Sequence, residues 1–197
     1  ISFAPPFGYE LCTRRLRHDD KPAYDLSAWR VAGVGAETIR ADVLDAFTEK
    51  MAPFGFDGQS FVASYGMAEC SLAVSFARID QGIVIDEVDA EQLSEQQVAI
   101  PAAGTPGTGM RTKKLVNCGP PLPGHEIQVR SESGKVLPDR QCGTIHVRGP
   151  SVMTGYLGDS EATASVLSSG GWLNTGDIGY LVNGTLVITG REKDMII

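Results

Sequence analysis

The sequence predicts a mixed α/β fold, in which a βαβ-type layer precedes a small antiparallel β-subdomain. Two short apolar runs enclose an amphipathic helix in the first 65 residues, apolar and polar positions alternate between 126 and 148, and Asn183-Gly184 separates two β-branched runs. Strand, helix, strand is typical of a parallel α/β layer. Alternation is typical of half-buried antiparallel strands, and Asn-Gly is favoured by two-residue type I′ hairpin turns.

Residues 1–80 are assigned to the α/β part. A proline-rich loop at 4–8 leads into a short predicted helix over 9–16. Residues 29–33 and 60–65 predict buried strands. The segment between them predicts a helix, because its apolar residues recur at helical spacing; they are Ile39, Val43, Leu44, Phe47 and Met51.

Small residues followed by a glutamate stand at the end of each predicted strand, in segments 33–37 and 65–69. Ligands tend to bind at the carboxyl ends of such strands. Glycines there let a planar ligand approach the backbone, Tyr65 can stack on it, and Glu69 can hold Mg²⁺. The structural alternative is equally simple: the glycines are turn residues, and the glutamate complements a helix dipole.

Residues 81–114 are expected to form an insertion or loop region after a strand at 83–85. Its first part, 86–97, is acidic and polar, and 101–109 is rich in Gly, Ala, Thr and Pro. Together they are interpreted as a long exposed insertion or flexible loop. Loops of this length inside a compact domain are usually functional or disordered.

Residues 115–197 are assigned to a β-rich subdomain, with strands at 126–130 and 143–148 and a short helix at 160–167, N-capped by Asp159 or Ser160. The closing hairpin should bring Asp177 and Arg191 together at its open end. A carboxylate can accept hydrogen bonds from both hydroxyls of a vicinal diol such as a ribose, and a guanidinium can add donors. A surface salt bridge closing the hairpin is the alternative.

Composition excludes several classes of function. The chain has 197 residues and a formal net charge of −7, which argues against a nucleic-acid or anionic-membrane surface. Its four cysteines show no CxxC spacing, so neither a zinc site nor a redox motif is indicated, and reduced thiols in a cytoplasmic protein are expected. No apolar run reaches the roughly 20 residues of a transmembrane helix. The three histidines are widely spread and are interpreted as structural.

The order of these motifs resembles that of the adenylate-forming enzymes, which include acyl-CoA synthetases, luciferases and the adenylation domains of peptide synthetases. The order runs through 35–37, 65–69, 143–157, 175–177 and 190–194. Within that superfamily the chain is most similar to the fatty-acyl-AMP ligases, on three grounds: the opening at 4–12, Ala68 where acyl-CoA synthetases commonly have threonine, and the long insertion ahead of 116–119. The implied fold is part of the large N-terminal domain.

The resemblance implies a role for each matching residue. Gly35, Ala36 and Glu37 would lie along an adenine, and Tyr65 would stack on it. Gly66, Met67 and Ala68 continue the same nucleotide-binding motif, of which the last two would border the α-phosphate and the acyl carbonyl.

The remaining matches concern the metal, the sugar and a hinge. Glu69 matches the family's magnesium ligand, and Asp177 the carboxylate that holds both ribose hydroxyls. Arg191 matches the arginine that contacts the ribose. Lys193, beside Asp194, sits at the position about which a C-terminal domain rotates.

The implied reaction joins a fatty acid to ATP, with Mg²⁺, to give acyl-adenylate and pyrophosphate. The acyl group then passes to the phosphopantetheine thiol of an acyl carrier protein, and the insertion disfavours coenzyme A. An acyl-CoA synthetase and a non-catalytic nucleotide-binding module are the alternatives.

The chain starts at Ile1 and ends in an apolar run, so a fragment is expected, without the upstream phosphate loop and the C-terminal catalytic lysine. Such a fragment should be inactive alone. Fatty-acid-dependent pyrophosphate release by residues 1–197 would contradict this.

Overall fold

A computed structural model describes residues 1–16, 24–102 and 111–194; most of the loop expected at 101–109 lies outside them. The strands are β1 (Ser2–Ala4), β2 (Ala32–Val34), β3 (Phe61–Tyr65), β4 (Ser75–Phe76), β5 (Ile85–Asp89), β6 (Thr112–Val116), β7 (Glu126–Arg130), β8 (Gly143–Arg148), β9 (Leu173–Val182) and β10 (Thr185–Arg191). The helices are α1 (Pro6–Arg15), α2 (Ala41–Met51), α3 (Ala90–Gln96) and α4 (Ser160–Val166), with 3₁₀ turns at Ala52–Phe54, Gly58–Ser60, Ala68–Cys70 and Glu192–Asp194. None of the described helices has the length and apolar character that a bilayer span requires.

The first sheet has the strand order β1-β2-β3-β4. Strands β1, β2 and β3 run parallel, and β4 is antiparallel to β3. The unit β2-α2-β3 therefore confirms the predicted βαβ connection. The carboxyl ends of β2 and β3 lie side by side, which brings segments 33–37 and 65–69 to the same edge of the sheet.

Helix α2 packs on this sheet through the apolar stripe seen in the sequence. Val43, Leu44, Phe47 and Met51 are buried, and the Phe47 ring makes edge-to-face contacts with several aromatic rings. Its ring centroid lies 5.0 Å from that of Tyr9, 5.0 Å from Phe56 and 5.9 Å from Phe61. Such pairs are worth about 0.5–1.5 kcal/mol beyond the area they bury, so this cluster fixes the helix against the strands.

The second sheet is antiparallel, with the order β10-β9-β8-β7. The predicted hairpin is confirmed as β9-β10: Asn183 has φ 49° and Gly184 has φ 74°, the pair of positive values that a type I′ turn needs. The register runs from Thr185 opposite Val182 at the turn to Arg191 opposite Asp177 at the open end, with a bulge between Ile188 and Gly190.

The expectation of an exposed loop at 86–97 was wrong. These residues form most of β5, which pairs with β6, and all of α3. Val88 is fully buried and Leu93 is 7% exposed, both packing against β9 and β10 in one apolar cluster. The segment is polar in sequence because few apolar residues anchor it. Glu87, Glu91 and Glu95 are exposed, whereas Asp86 accepts a 2.6 Å hydrogen bond from Tyr180 Oη and Asp89 caps α3. The division of the chain at 81 and 115 stays a prediction.

The two sheets meet at the carboxyl end of β3. Tyr65, Cys70 and Val74 pack in one apolar cluster with residues of the second sheet, which are Ile127, Ile145, Val147, Leu173 and Leu186. This contact brings the 65–69 segment against the start of β9, although the two are more than 100 residues apart in sequence.

Candidate active site

A cavity of about 1100 Å³ lies where the two sheets meet. Residues from the ends of β2 and β3, from the start of β9 and from the end of β10 line it. Of the residues singled out in the sequence, the lining includes Gly35, Ala36, Tyr65, Gly66, Met67, Ala68, Glu69, Asp177, Arg191 and Lys193.

Asp177 is a buried charged residue in this lining. Tyr65 Oη donates a 2.7 Å hydrogen bond to its Oδ2, and Arg191 Nε donates a 3.0 Å bond to its Oδ1. The Asp177 side chain is only 8% exposed, whereas that of Arg191 is 68% exposed. Each carboxylate oxygen has two lone pairs, so both retain accepting capacity toward the cavity.

Burial raises the pKa of the Tyr65 hydroxyl far above its usual value, and the neighbouring Asp177 carboxylate raises it further. Tyr65 therefore remains a neutral donor throughout the physiological range. A buried carboxylate is stabilised by such donors, because an ionised group removed from water needs hydrogen bonds to replace its hydration.

The turn before Asp177 is built by local hydrogen bonds. Thr175 Oγ1 donates to the carbonyl of Ile145 at 2.9 Å and accepts from Asp177 N at 3.1 Å. Gly176 has φ 69°, and its N–H donates to Asn174 Oδ1 at 2.9 Å. A side chain is strained in this left-handed conformation, so the glycine lets the chain turn and direct Asp177 into the cavity.

Close backbone packing shapes the cavity lining after β2 and β3. A Cβ on Gly66 would run into the carbonyl group of Leu72, so only glycine fits there. Two lining residues that are not glycine also have positive φ values, 69° for Ala36 and 62° for Ser71. Such conformations cost of order 1–3 kcal/mol each and cluster at functional sites.

Glu69 lies in the 3₁₀ turn Ala68–Cys70, and its Oε1 accepts a 2.8 Å hydrogen bond from Tyr156 Oη. Within the described residues, no three His, Cys, Asp or Glu side chains form a cluster that could hold a metal ion. Mg²⁺ commonly binds through one or two carboxylates together with substrate phosphates and waters. A single partly exposed carboxylate at a cavity wall fits that mode of binding.

Glu37 is not among the residues that line the cavity, although its neighbours Gly35 and Ala36 are. Its Oε1 accepts a 3.0 Å hydrogen bond from Phe7 N in the first turn of α1. Lys193 is exposed at the rim, in the 3₁₀ turn that follows β10. The structure thus gathers ten of the eleven singled-out residues around one cavity and gives the Glu37 carboxylate a different partner.

Sequence reasoning did not single out Tyr156 or Leu72, although both line the cavity. Tyr156 stands in a glycine-containing loop between β8 and α4, where no periodicity marks it. Only its contact with Glu69, 87 residues away, identifies it.

A family model described as "AMP-binding enzyme" matches residues 1–157. Among curated proteins, the chain is 47% identical over 197 residues to a Caulobacter vibrioides protein provisionally named as an acyl-CoA synthetase, covering 100% of the chain and 34% of that protein. It is 34% identical over 205 residues to the medium-chain-fatty-acid–[acyl-carrier-protein] ligase JamA of Moorena producens, covering 100% and 34%. The chain thus spans about a third of these relatives.

Two solved structures are also similar to the chain. One, from work on the fatty acyl-adenylate ligases of E. coli and L. pneumophila, superposes with a TM-score of 0.93 and 46% identity, covering 100% of the chain and 35% of its counterpart. The fatty acyl-adenylate ligase from L. pneumophila in complex with acyl adenylate and pyrophosphate gives a TM-score of 0.89 and 31% identity, with coverage of 98% and 34%.

Proposed function

The chain belongs to the AMP-binding enzymes, and we propose that it is part of a fatty-acyl-AMP ligase, which activates a fatty acid with ATP and passes it to an acyl carrier protein. Because the chain spans about a third of its relatives, the activity is proposed for the full-length gene product. Two relatives support the substrate class: one is named a medium-chain-fatty-acid–[acyl-carrier-protein] ligase, and one is a fatty acyl-adenylate ligase solved with acyl adenylate and pyrophosphate.

The observation that carries the proposal is the geometry around Asp177. Its buried carboxylate accepts hydrogen bonds from Tyr65 and Arg191, and all three residues line a cavity of about 1100 Å³. In the proposed function, each oxygen accepts a hydrogen bond from one hydroxyl of a ribose. The vicinal diol of a ribose has two O–H donors that match the paired acceptor oxygens of a carboxylate, and the exposed Arg191 guanidinium adds donors to the same sugar.

The adenine is proposed to lie along Gly35, Ala36 and Glu37, with Tyr65 on its face. Glu37 would contribute its backbone, because its carboxylate already binds the Phe7 amide. The exposed left-handed Ala36 brings the main chain to the cavity surface, where backbone groups can meet the edge of a base.

The phosphates and the reacting carboxylate are proposed to lie beside Gly66, Met67 and Ala68. Glu69 would hold Mg²⁺, whose charge neutralises phosphate oxygens when it is bound. Lys193, at the rim, is proposed as the hinge between this part of the enzyme and a further domain.

The chemistry follows from positioning. A carboxylate oxygen of the fatty acid forms a bond to the α-phosphorus of ATP as the bond from that phosphorus to the bridging oxygen of pyrophosphate breaks. The protein aligns the two reactants and stabilises charge. The thiol of a phosphopantetheine group then attacks the acyl carbon, AMP leaves, and the thiol proton is released.

The experiment is fatty-acid-dependent exchange of labelled pyrophosphate into ATP by the full-length gene product. Asp177→Ala removes two charge-assisted hydrogen bonds to the ribose, worth about 1.5–3 kcal/mol each, so kcat/KM for ATP should fall at least about a hundredfold. Asp45→Ala removes an exposed carboxylate on α2 and is the matched control. Unchanged exchange with Asp177→Ala would contradict the ribose assignment.

The acceptor is tested separately. If the acceptor is an acyl carrier protein, the enzyme should transfer the acyl group to a phosphopantetheinylated carrier protein and little of it to coenzyme A. Efficient transfer to coenzyme A would instead favour an acyl-CoA synthetase, the name provisionally carried by the Caulobacter relative. Nucleotide binding without exchange, for any fatty acid, would favour a non-catalytic module.

A further inference from the structure

One loop holds both the main chain and the side chain of Glu69. Residues 149–159, named here the 149–159 loop, connect β8 to α4. From this loop, Met153 N donates a 2.7 Å hydrogen bond to the Glu69 carbonyl, and Tyr156 Oη donates a 2.8 Å bond to Glu69 Oε1. Ser71 Oγ adds a weak 3.4 Å contact to the Ser151 carbonyl.

The 149–159 loop is itself fixed at both ends. Tyr156 N donates a 2.9 Å hydrogen bond to Thr163 Oγ1 on α4. At the other end, His125 Nε2 lies 2.7 Å from Ser151 Oγ. A Cβ on Gly155 would lie 2.8 Å from Thr163 Cγ2, so the loop packs closely on α4. These contacts hold the backbone that carries Tyr156, so the position of its hydroxyl beside Glu69 is well defined.

Such a donor changes what Glu69 can do. A partly exposed glutamate samples several rotamers, and fixing it on binding a cation costs conformational entropy. The Tyr156 bond engages one lone pair of Oε1. Among the described residues, Oε2 has no hydrogen-bond donor, so it can coordinate a cation.

We propose that Tyr156 is a positioning residue, whose hydroxyl holds the Glu69 carboxylate in the orientation that binds nucleotide-bound Mg²⁺. This inference rests on the proposed function. It assigns to the 149–159 loop a part in metal binding, through Glu69 rather than through direct contact with the metal.

The test measures metal affinity without turnover. Mn²⁺, a spectroscopic substitute for Mg²⁺, is titrated into the full-length gene product with α,β-methylene-ATP, and binding is followed by electron paramagnetic resonance. Tyr156→Phe removes only the hydroxyl, and Tyr24→Phe removes the same group from another exposed tyrosine. We expect Tyr156→Phe to weaken Mn²⁺ binding about fivefold to tenfold, and Tyr24→Phe to leave it unchanged.

The nucleotide alone provides the second measurement. In the presence of a chelator, the affinity for α,β-methylene-ATP should be the same for Tyr156→Phe as for the parent protein. An equal loss of nucleotide affinity without metal would mean that the tyrosine acts only on the structure of the cavity, and would overturn the inference.

Glu69→Gln separates this inference from the function on which it rests. If Glu69→Gln weakens Mn²⁺ binding while Tyr156→Phe does not, the positioning role is wrong and the metal assignment stands. If neither substitution affects Mn²⁺ binding, the assignment of Glu69 as a metal ligand is itself wrong, and the inference fails with it.

Discussion

The Asp177 carboxylate accepts hydrogen bonds from buried Tyr65 and from exposed Arg191. We expect the two interactions to differ in strength because of this difference in exposure. The Tyr65 bond is buried and is 2.7 Å long. Buried hydrogen bonds to charged groups contribute about 1.5–3 kcal/mol. The Arg191 side chain is 68% exposed, and exposed ion pairs contribute about 0.2–1 kcal/mol because water and salt screen them.

Two double-mutant cycles separate these contributions. One combines Tyr65→Phe with Asp177→Ala, and the other combines Arg191→Ala with Asp177→Ala. Urea unfolding of the full-length gene product, followed by circular dichroism, gives the free energy of unfolding for each variant. Because the variants in a cycle share the rest of the protein, contributions from elsewhere cancel in the coupling energy.

We expect a coupling energy of about 1.5–3 kcal/mol between Tyr65 and Asp177, and of less than about 1 kcal/mol between Arg191 and Asp177. High salt should reduce only the second. A Tyr65–Asp177 coupling no larger than that of the exposed pair would refute the conclusion that the tyrosine holds the carboxylate in place.

Three further predictions concern packing, thiol reactivity and pH. Gly66→Ala should destabilise the protein by about 1–3 kcal/mol, because the new Cβ meets the Leu72 carbonyl; an unchanged melting temperature would contradict this. Among the four cysteines of this chain, a maleimide at about pH 8 should label only Cys12 in the folded protein, because Cys12 is exposed and the other three are buried. Burial also raises the pKa of the buried thiols, to about 11 for Cys70 and Cys142 and about 12 for Cys118. Equal labelling of all four, read by peptide mass spectrometry, would show this packing to be wrong. Burial lowers the pKa of His146 in the folded protein. As pH drops below about 6.5, the unfolded state therefore binds the proton first, and the free energy of unfolding decreases. His146→Gln should reduce this decrease, measured by urea unfolding between about pH 7 and pH 5.

The sequence predicted the parts of the fold that local chemistry determines. Asn183-Gly184 can form a type I′ turn almost alone, and that turn sets the register that places Asp177 opposite Arg191. The apolar spacing from Val43 to Met51 likewise determined which face of α2 is buried. These features depend on residues that are close in sequence.

The remaining features depend on contacts between distant residues. The acidic character of 86–97 concealed β5 and α3, because two apolar residues suffice when β9 and β10 complete the core around them. No local pattern could show that Tyr65 donates to Asp177, 112 residues later. The Glu37 carboxylate was likewise separated from the cavity by its bond to α1, which only the packing of α1 against the sheet determines.

The most direct test of the central proposal, a ribose bound by Asp177, compares two ligands that differ only in the sugar. Isothermal titration calorimetry with the full-length gene product would measure an acyl-sulfamoyl-adenosine and its 2′,3′-dideoxy counterpart. Two charge-assisted hydrogen bonds of about 1.5–3 kcal/mol each predict at least about a hundredfold weaker binding of the dideoxy ligand, and in Asp177→Ala most of this difference in affinity should disappear. Equal affinities in the parent protein would contradict the proposal.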